Sequence, residues 1–512
     1  MTVGRRLSPC SARLAIALLL IAAAFTPRAH AHVGSPDVFL EGQAGAYRLL
    51  VTVRPPHAIP GVADVDILTT SDGVRDVRIV PLPLTGPGAQ FAPVADRAAR
   101  SADDPRLFTG HLWMMGAGAW QVRVTVSGDH GEGTLSVPVP TLPQSTLEMG
   151  PALRAMLFVL MLLLAAGFVG IVSALAREAR LAPGASVDRP ARVRGWIAGG
   201  GAAVAVCAIV VLGNRWWSAE ASTYNRYVYK PIAATATVTE DSRLKLYLTD
   251  PGWIASRRLD DFVPDHGHLM HLFAVSPGLD RLWHLHPDEA STGLFEQRLP
   301  DLAAGQYELF ADVVHATGVS ETVTGRLTTN AVRGTPVTGD DSGWEEVRLK
   351  PDTTETRTAD QPTAAGGPVV SGFSRTAIGG ATGDGGRIVW VRDQTPLTTK
   401  RLTMFTFRVE DAHGQPAGDL ELYMGMPGHA IFVKRDRTVF AHVHPSGSAP
   451  MAAMAIAMPG DSAHAQHMAA AAATPSTVTF PYGFPESGDY RVFVQVKRAG
   501  RVMTAAFDAS VP

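Results

Sequence analysis

Alternating apolar and polar positions fill two long stretches of the chain. Between residues 32 and 150 the segments YRLLVTVRPP, DVDILTT, DVRIVPLPL, WQVRVTVSG and GTLSVPVPT are short, rich in β-branched residues and bounded by turn residues. That is the pattern of half-buried strands. A second set follows between 215 and 330, with KLYLTD, HLFAVS, DRLWHLHP, GQYELFADVV and ETVTGRLTT. Between the two sets the alternation gives way to two continuous apolar runs, roughly Leu153 to Leu175 and Trp196 to Gly213. A membrane span needs about 20 such residues.

From 331 to 385 the chain is rich in Gly, Thr, Asp and Pro without apolar period, and reads as a disordered linker. From 386 to 512 the second set repeats. His271, His284, His286 and Pro287 align with His429, His442, His444 and Pro445, and Gly305, Tyr307 and Phe310 align with Gly488, Tyr490 and Phe493. Two copies are a duplication rather than a solenoid. An insertion, GSAPMAAMAIAMPGDSAHAQHMAAAAATPS, distinguishes the second copy. The fold expected is mainly β: three exported immunoglobulin-like β-sandwich domains plus two transmembrane α-helices.

The first residues add a compartment. Arg5, Arg6 and Arg13 precede the apolar LAIALLLIAAAF, and AHA follows at 29 to 31. This is the layout of a secretory signal peptide cut after Ala31, leaving His32 as the mature N-terminus. Between the two apolar runs lie Arg177, Arg180, Arg189, Arg192 and Arg194 against Glu178 and Asp188. The positive-inside rule puts that loop in the cytoplasm. The boundaries that follow are a signal peptide at 1–31, a sandwich at 32–150 and a transmembrane helix at 151–176. A cytoplasmic loop at 177–194 and a second transmembrane helix at 195–214 come next. The second sandwich is at 215–330, the linker at 331–385 and the third sandwich at 386–512. Both large folded regions then face the periplasm, or the cell exterior, from the bacterial inner membrane.

Composition narrows the function. Lys and Arg number 45 against 47 Asp and Glu, so there is no basic face for nucleic acid. There are two cysteines: Cys10 leaves with the signal peptide and Cys207 lies in an apolar run. The exported regions therefore hold no disulfide framework, thiolate zinc site or cysteine nucleophile.

The remaining chemistry is histidine. Each repeat spaces its histidines by thirteen residues and then two, followed by proline. A hairpin around Arg435-Asp436 sets His429 opposite His442, and His444 joins them because residues two apart share a strand face. A four-residue turn, Ser276 to Leu279, does the same for His271, His284 and His286. Three neutral imidazoles converging with an open position suit copper, zinc or nickel. His266, His268, Asp312 and His315 stand close enough in sequence to complete the second unit's set. Methionine points to copper in particular. Eight of 15 lie in the third unit, four of them in the insertion beside His464 and His467, and thioether sulfur selects Cu(I). YMGMPGH places Met424 and Met426 on one strand face leading to His429. His32, once it is the N-terminus, offers an amine and an imidazole to one Cu(II), a histidine brace that His57, His111, His130 or Asp37 would complete. The metal-site candidates are thus His271, His284, His286, His429, His442, His444, Met424, Met426, His268 and His32, with copper as Cu(I) or Cu(II) first and zinc second. Alone, any one of these histidines reads first as a packed or hydrogen-bonded core residue; the repeated triad is what points to metal.

HVGSPDVFLEG with YRLLVTVRPP and LWMMGAGAWQVRVTV resembles the small exported YtkA-like and FixH-like β-sandwich domains, and the His-led start resembles CopC-like copper-binding proteins. That resemblance covers about residues 32 to 140. The HLHP and HVHP units resemble exported bacterial domains of an uncharacterised membrane protein family found in copper and heavy-metal contexts, which implies metal handling. His284, His286 and Glu289 echo a metal cupin motif, but the second cupin motif is missing. Three functions compete. One is a membrane-anchored periplasmic protein for copper binding, homeostasis or delivery. Another is a structural or assembly factor for a membrane complex such as a respiratory oxidase, working through a periplasmic or membrane protein partner. The third is an enzyme using the His32 brace, for which the sequence supplies neither a substrate pocket nor a paired-carboxylate or Ser-His-Asp signature.

Overall fold

A computed structural model describes residues 37–147, 149–182, 184–253, 257–346, 386–392, 395–459 and 476–512. The signal peptide, His32, residues 347–385, and His464, His467 and Met468 lie outside the described residues. The architecture is mainly β, with several sheets and two long apolar helices.

The first unit is two facing sheets, one of five strands and one of four, over a single core that includes Leu49, Val51, Val65, Val124 and Val137. Its first strand, Val38–Ala44, shows what period-2 alternation does. Val38 and Leu40 point into this core, while Phe39 turns outward into the core of the third unit. There its ring meets Tyr482 at 6.1 Å. The chain of the third unit runs directly alongside: Glu41 N–H donates to the Ser446 carbonyl at 2.7 Å and Ser448 N–H to the Phe39 carbonyl at 2.9 Å. At Gly447 a Cβ would lie 1.9 Å from the Phe39 oxygen, and φ is 128°, so only glycine fits this contact.

Two helices follow. α1, Pro151–Glu178, has 28 residues and α2, Arg189–Asn225, has 37. Both are long and apolar enough to cross a membrane. Each extends past the span read from hydropathy, and Arg189, Arg192 and Arg194 of the expected loop form the first turns of α2. Small residues let the helices touch: Ser173 Oγ donates to the Gly195 carbonyl at 2.9 Å, and a Cβ at Gly199 would come within 3.1 Å of Ser173.

The second unit is one nine-stranded sheet rather than two separate ones, curved around a core that includes Leu246, Leu272, Phe295, Tyr307 and Leu309. Its last strand, Ser342–Glu345, comes from the expected linker. Residues 331–346 are folded here because Val332, Ser342 and Trp344 are buried at alternating or isolated positions that supply apolar contact without a long period. The third unit places a three-stranded sheet against a five-stranded one over Phe405, Phe407, Phe432, Phe480 and Val492. From its insertion comes a short helix, α3, Met451–Ala457. Met454 of α3 packs into the core of the first unit.

The second and third units meet through the faces that bear the histidines. In the strand His271–Val275, Leu272 and Ala274 face their own core while Phe273 and Val275 face the neighbouring unit. In the strand His429–Lys434, Ile431 and Val433 do the same. Phe310 stacks on Phe440 at 4.4 Å across this junction, and Trp344 meets Phe493 at 5.4 Å. Both strands are therefore buried on both faces, which is why they read as nearly unbroken apolar runs.

Phe39→Ala should cost about 3–5 kcal/mol, as for other buried aromatics. The expected result is a lower melting temperature for the detergent-solubilised chain and faster limited proteolysis where the first and third units meet.

Candidate metal centre

Two hairpins carry the histidines. In the second unit Leu272 pairs with Leu285 and Val275 with Leu282, a register that places His271 opposite His286. In the third, Ala430 pairs with Val443 and Ile431 with His442, which places His429 opposite His444, not His442. The third unit's turn is longer than the sequence reading had it, and the second unit's keeps four residues but lies one position further on. Lys434 N–H reaches the Val439 carbonyl at 3.0 Å around residues 435–438, and Ser276 N–H reaches the Arg281 carbonyl at 3.1 Å. Ser276 Oγ fills the second turn by accepting from the Asp280 and Arg281 amides. Each register differs from the expected one by two residues. A shift of two preserves which face a side chain occupies, so each set of three histidines still lies on one face.

The two hairpins face each other, and eight imidazoles merge into one buried layer. Within the second unit, His268 stacks on His286 with centroids 4.0 Å apart, and His271 lies 5.0 Å from His286 and 5.5 Å from His284. Within the third, His429 lies 5.1 Å from His444 and 5.2 Å from His442. Across the junction His266 approaches His444 at 4.7 Å and His429 at 5.3 Å, and His442 approaches His271 at 5.5 Å. Two triads bring ligand atoms within 4.8 Å of one another: His271, His284 and His286, and separately His266, His429 and His444. The second triad thus takes His266 from the second unit where the sequence pointed to His442. His442 sits between the triads, its Nδ1 3.4 Å from Asp312.

Hydrogen bonds fix the tautomers of the first triad. His271 Nε2 faces the Asp265 carbonyl at 3.0 Å and must donate to it. His284 Nδ1 faces Gln495 Oε1 at 2.9 Å and Tyr423 Oη at 3.2 Å. The Gln495 amide nitrogen donates to Ser342 Oγ and Thr504 Oγ1, and Tyr423 donates to the Asp340 carbonyl, so both present acceptors to His284. His284 Nδ1 therefore carries the proton. His286 Nδ1 donates to Asp341 Oδ1 at 2.9 Å. A neutral imidazole has one N–H and one lone pair. Three bare lone pairs are left: His271 Nδ1, His284 Nε2 and His286 Nε2. The first two face each other at 3.2 Å, and His286 Nε2 is buried with no hydrogen-bond partner. In the other triad His266 Nδ1 donates to the Met424 carbonyl at 2.9 Å, which turns its bare Nε2 toward His444 Nε2 at 3.2 Å. Both ring nitrogens of His429, and His442 Nε2, are buried without partners. Lone pairs gathered this way repel unless a Lewis acid lies among them, and backing each ligand imidazole with an oxygen acceptor is how metal sites hold their histidines.

Protons are a poor substitute for that Lewis acid. Burial holds His271, His284 and His429 well below the usual imidazole range, and lowers His266 and His286 as well; the neighbouring imidazoles add to the effect in each. Carboxylates ring the layer: Asp341 on His286, Asp340 on His268 at 3.4 Å, Asp312 on His442, and Asp265, 4.0 Å from His266. Gln297 also holds Asp341, Lys497 holds Asp340 at 3.4 Å, and the Ala452 amide of α3 holds Asp265 at 2.7 Å. A cavity of about 310 Å³ reaches the layer where the three units meet, and its lining includes His271, His442, His444, Asp265 and Asp312.

The other candidates fall elsewhere. Met424 and Met426 do not share a strand face. Met424 and Gly425 have φ of 51° and 78° in a tight turn closed by Tyr423 and Met426, a type I′ pattern. His266 and Gly267, with φ of 51° and 89°, form the same turn between Asp265 and His268. The sequence carries this in DHGH and YMGM, both six residues before the first histidine of the triad. His315 pairs with Asp261 at 2.7 Å, outside both triads, and Glu289 belongs to neither. His111 pairs with Asp64 at 2.8 Å, His57 with Gln144 at 3.0 Å, and His130 lies against Tyr47.

Residues 224–331 and 381–512, which contain the whole histidine layer, match the family described as a domain of unknown function, DUF8832. No curated protein matches the chain. Among solved structures it is similar to a tetra-tandem repeat from the extending region of a large adhesion protein, at 8% identity and a TM-score of 0.15, covering 89% of this chain and 71% of that one. It is also similar to E. coli alpha-2-macroglobulin, at 9% identity and a TM-score of 0.21, covering 93% and 23%. A third is a 1.5-MDa bacterial ice-binding adhesin, at 6% and 0.13, covering 88% and 90%.

The buried histidines make stability of the metal-free protein depend on pH. Unfolded, each titrates near 6.5; folded, five of them titrate lower. Their stability is complete above about pH 6.5 and is lost as pH falls below it, by up to about 1.4 kcal/mol per pH unit for each histidine. A melting curve followed from pH 8 to 5.5 should be level above about pH 7 and fall steeply below 6.5. A level curve throughout would mean the folded layer takes up protons freely.

Proposed function

We propose that the protein is a membrane-anchored metal-binding protein whose folded regions face the periplasm, with copper as its ion and zinc as the next fit to the same ligands. The observation that carries this reading is the convergence of His271 Nδ1, His284 Nε2 and His286 Nε2, each bared by a hydrogen bond on the far side of its ring. Nitrogen ligands of this kind favour Cu(II) over other first-row divalent ions, and the methionines at 424, 426, 451, 454 and 458 supply softer atoms nearby in the chain for Cu(I). Binding, buffering or delivery of the ion requires only the histidines, so the reading includes no catalytic step.

In this reading residues 1–31 export the chain, α1 and α2 cross the inner membrane, and residues between them face the cytoplasm. The contact between Leu40 and Gly447 supports it, since the first and third units can touch only from the same side of a membrane. Two crossings satisfy that condition. The units are then immunoglobulin-like exported domains, the first related to the YtkA-like, FixH-like and CopC-like group, and His32 becomes a further copper ligand.

Full-length protein in detergent, carrying an affinity tag without histidine, should bind Cu(I) or Cu(II) more tightly than about 1 μM. His284→Ala with His286→Ala should remove ions from the isolated protein while its melting temperature shows it folded. Unchanged metal content in that folded variant would sink the assignment.

A second reading, an assembly factor that docks a protein partner, is favoured by one surface. Trp113 is 61% exposed on the first unit, with Val62 paired opposite it and Met115 exposed beside it. In that case Trp113→Ala loses a co-purifying partner that the histidine variants keep.

A further inference from the structure

The two triads are not separate features of two domains. From the DHGH and YMGM turns to the last histidine of each hairpin, equivalent residues of the units differ by 158 in number, and His266 donates to the carbonyl of Met424, its own equivalent. Contact between equivalent positions occurs at a two-fold axis. The same relation holds further out. Asp312 and Gln495 occupy matching places, opposite His271 and His429 in register. Gln495 reaches across to His284, and Asp312 reaches across to His442, the equivalent of His284. The units therefore pack around an internal pseudo-two-fold axis that runs through the histidine layer.

This geometry sets the triads side by side. His266 of one lies 5.9 Å from His271 of the other, and His284 lies 6.3 Å from His429. His442 bridges them, in ring contact with His271, His429 and His444. The surrounding charge exceeds what one divalent ion would offset: four carboxylates, Asp265, Asp312, Asp340 and Asp341, against the single ammonium of Lys497.

Building on the metal-binding reading, we infer that the two triads form one paired-ion centre, holding two first-row metal ions near each other on either side of the pseudo-two-fold axis. One ion is bound within the second unit by His271, His284 and His286. The other is bound across the junction by His266, His429 and His444. His442 lies between them, where its bare Nε2 can serve either ion. The cross-junction ion then depends on both units at once.

The test is Cu(II) titration of the full-length protein in detergent, with metal analysis and electron paramagnetic resonance on the same samples. The expected result is two Cu(II) per chain with a spectrum showing coupling between the two spins. His266→Gln and His429→Gln, each checked for an unchanged melting temperature, should each bind one Cu(II) with the spectrum of an isolated ion. Saturation of the unaltered protein at one ion, or two ions with uncoupled spectra, would overturn the paired centre while leaving metal binding intact. No metal bound at all, with Cu(I) and Zn(II) offered in parallel, would overturn the metal-binding reading itself.

Discussion

A neutral imidazole brings one donor and one acceptor into a protein interior, and both need partners there. In the layer between the second and third units four of the donors are provided for. The carbonyls of Asp265 and Met424, the amide oxygen of Gln495 and the carboxylate of Asp341 each take an imidazole proton. The acceptors are not, and they are turned toward one another. An unsatisfied buried polar atom costs roughly 1–3 kcal/mol, and several here share one small volume. Natural proteins tolerate such a concentration where a ligand repays it, which is why the tautomer assignments weigh more than the number of histidines.

Much of the surrounding structure serves to keep that layer in place. Phe273, Phe310 and Phe440 lie on the same strand faces as the imidazoles and clamp the two units together. Each fully buried aromatic of this kind contributes on the order of 1.5–3 kcal/mol, so apolar contact holds the junction closed. The strand Ser342–Glu345 and the turn before it supply Asp340, Asp341 and Ser342, which orient His268, His286 and, through Gln495, His284. The first unit reaches the same place by way of α3, whose Ala452 amide holds Asp265 while Met454 sits in that unit's core.

The duplication, the strands and the helices were legible because each repeats at a period that side-chain geometry imposes. The convergence of the triads survived a misjudged turn because a two-residue shift leaves every side chain on its face. What could not be read was anything that crosses between units. His266 looks like a neighbour of His268 and His271 in the chain, yet its Nε2 faces the third unit, since φ of 51° in its turn directs it there. The text from 331 to 346 reads as linker because its buried residues are few and irregularly spaced. Met424 and Met426 read as a strand pair because alternation of Met and Gly resembles strand text, whereas the glycine marks a turn.

The internal symmetry is broken in one direction. Where the second unit has Asp265, His266, His268 and Asp312, the third has Tyr423, Met424, Met426 and Gln495 at the matching places. The second unit and the segment after it thus supply all four carboxylates of the ring, and the third supplies neutral acceptors. The triads become inequivalent as a result. His271, His284 and His286 share one hairpin and have every outer nitrogen hydrogen-bonded, that of His284 by Gln495 and Tyr423 of the third unit. His266, His429 and His444 come from two units, and their geometry exists only while the apolar junction is closed. A duplication that preserved full symmetry would have produced two identical sites. This one has produced a triad housed in one hairpin and a triad split between two units, with His442 between them.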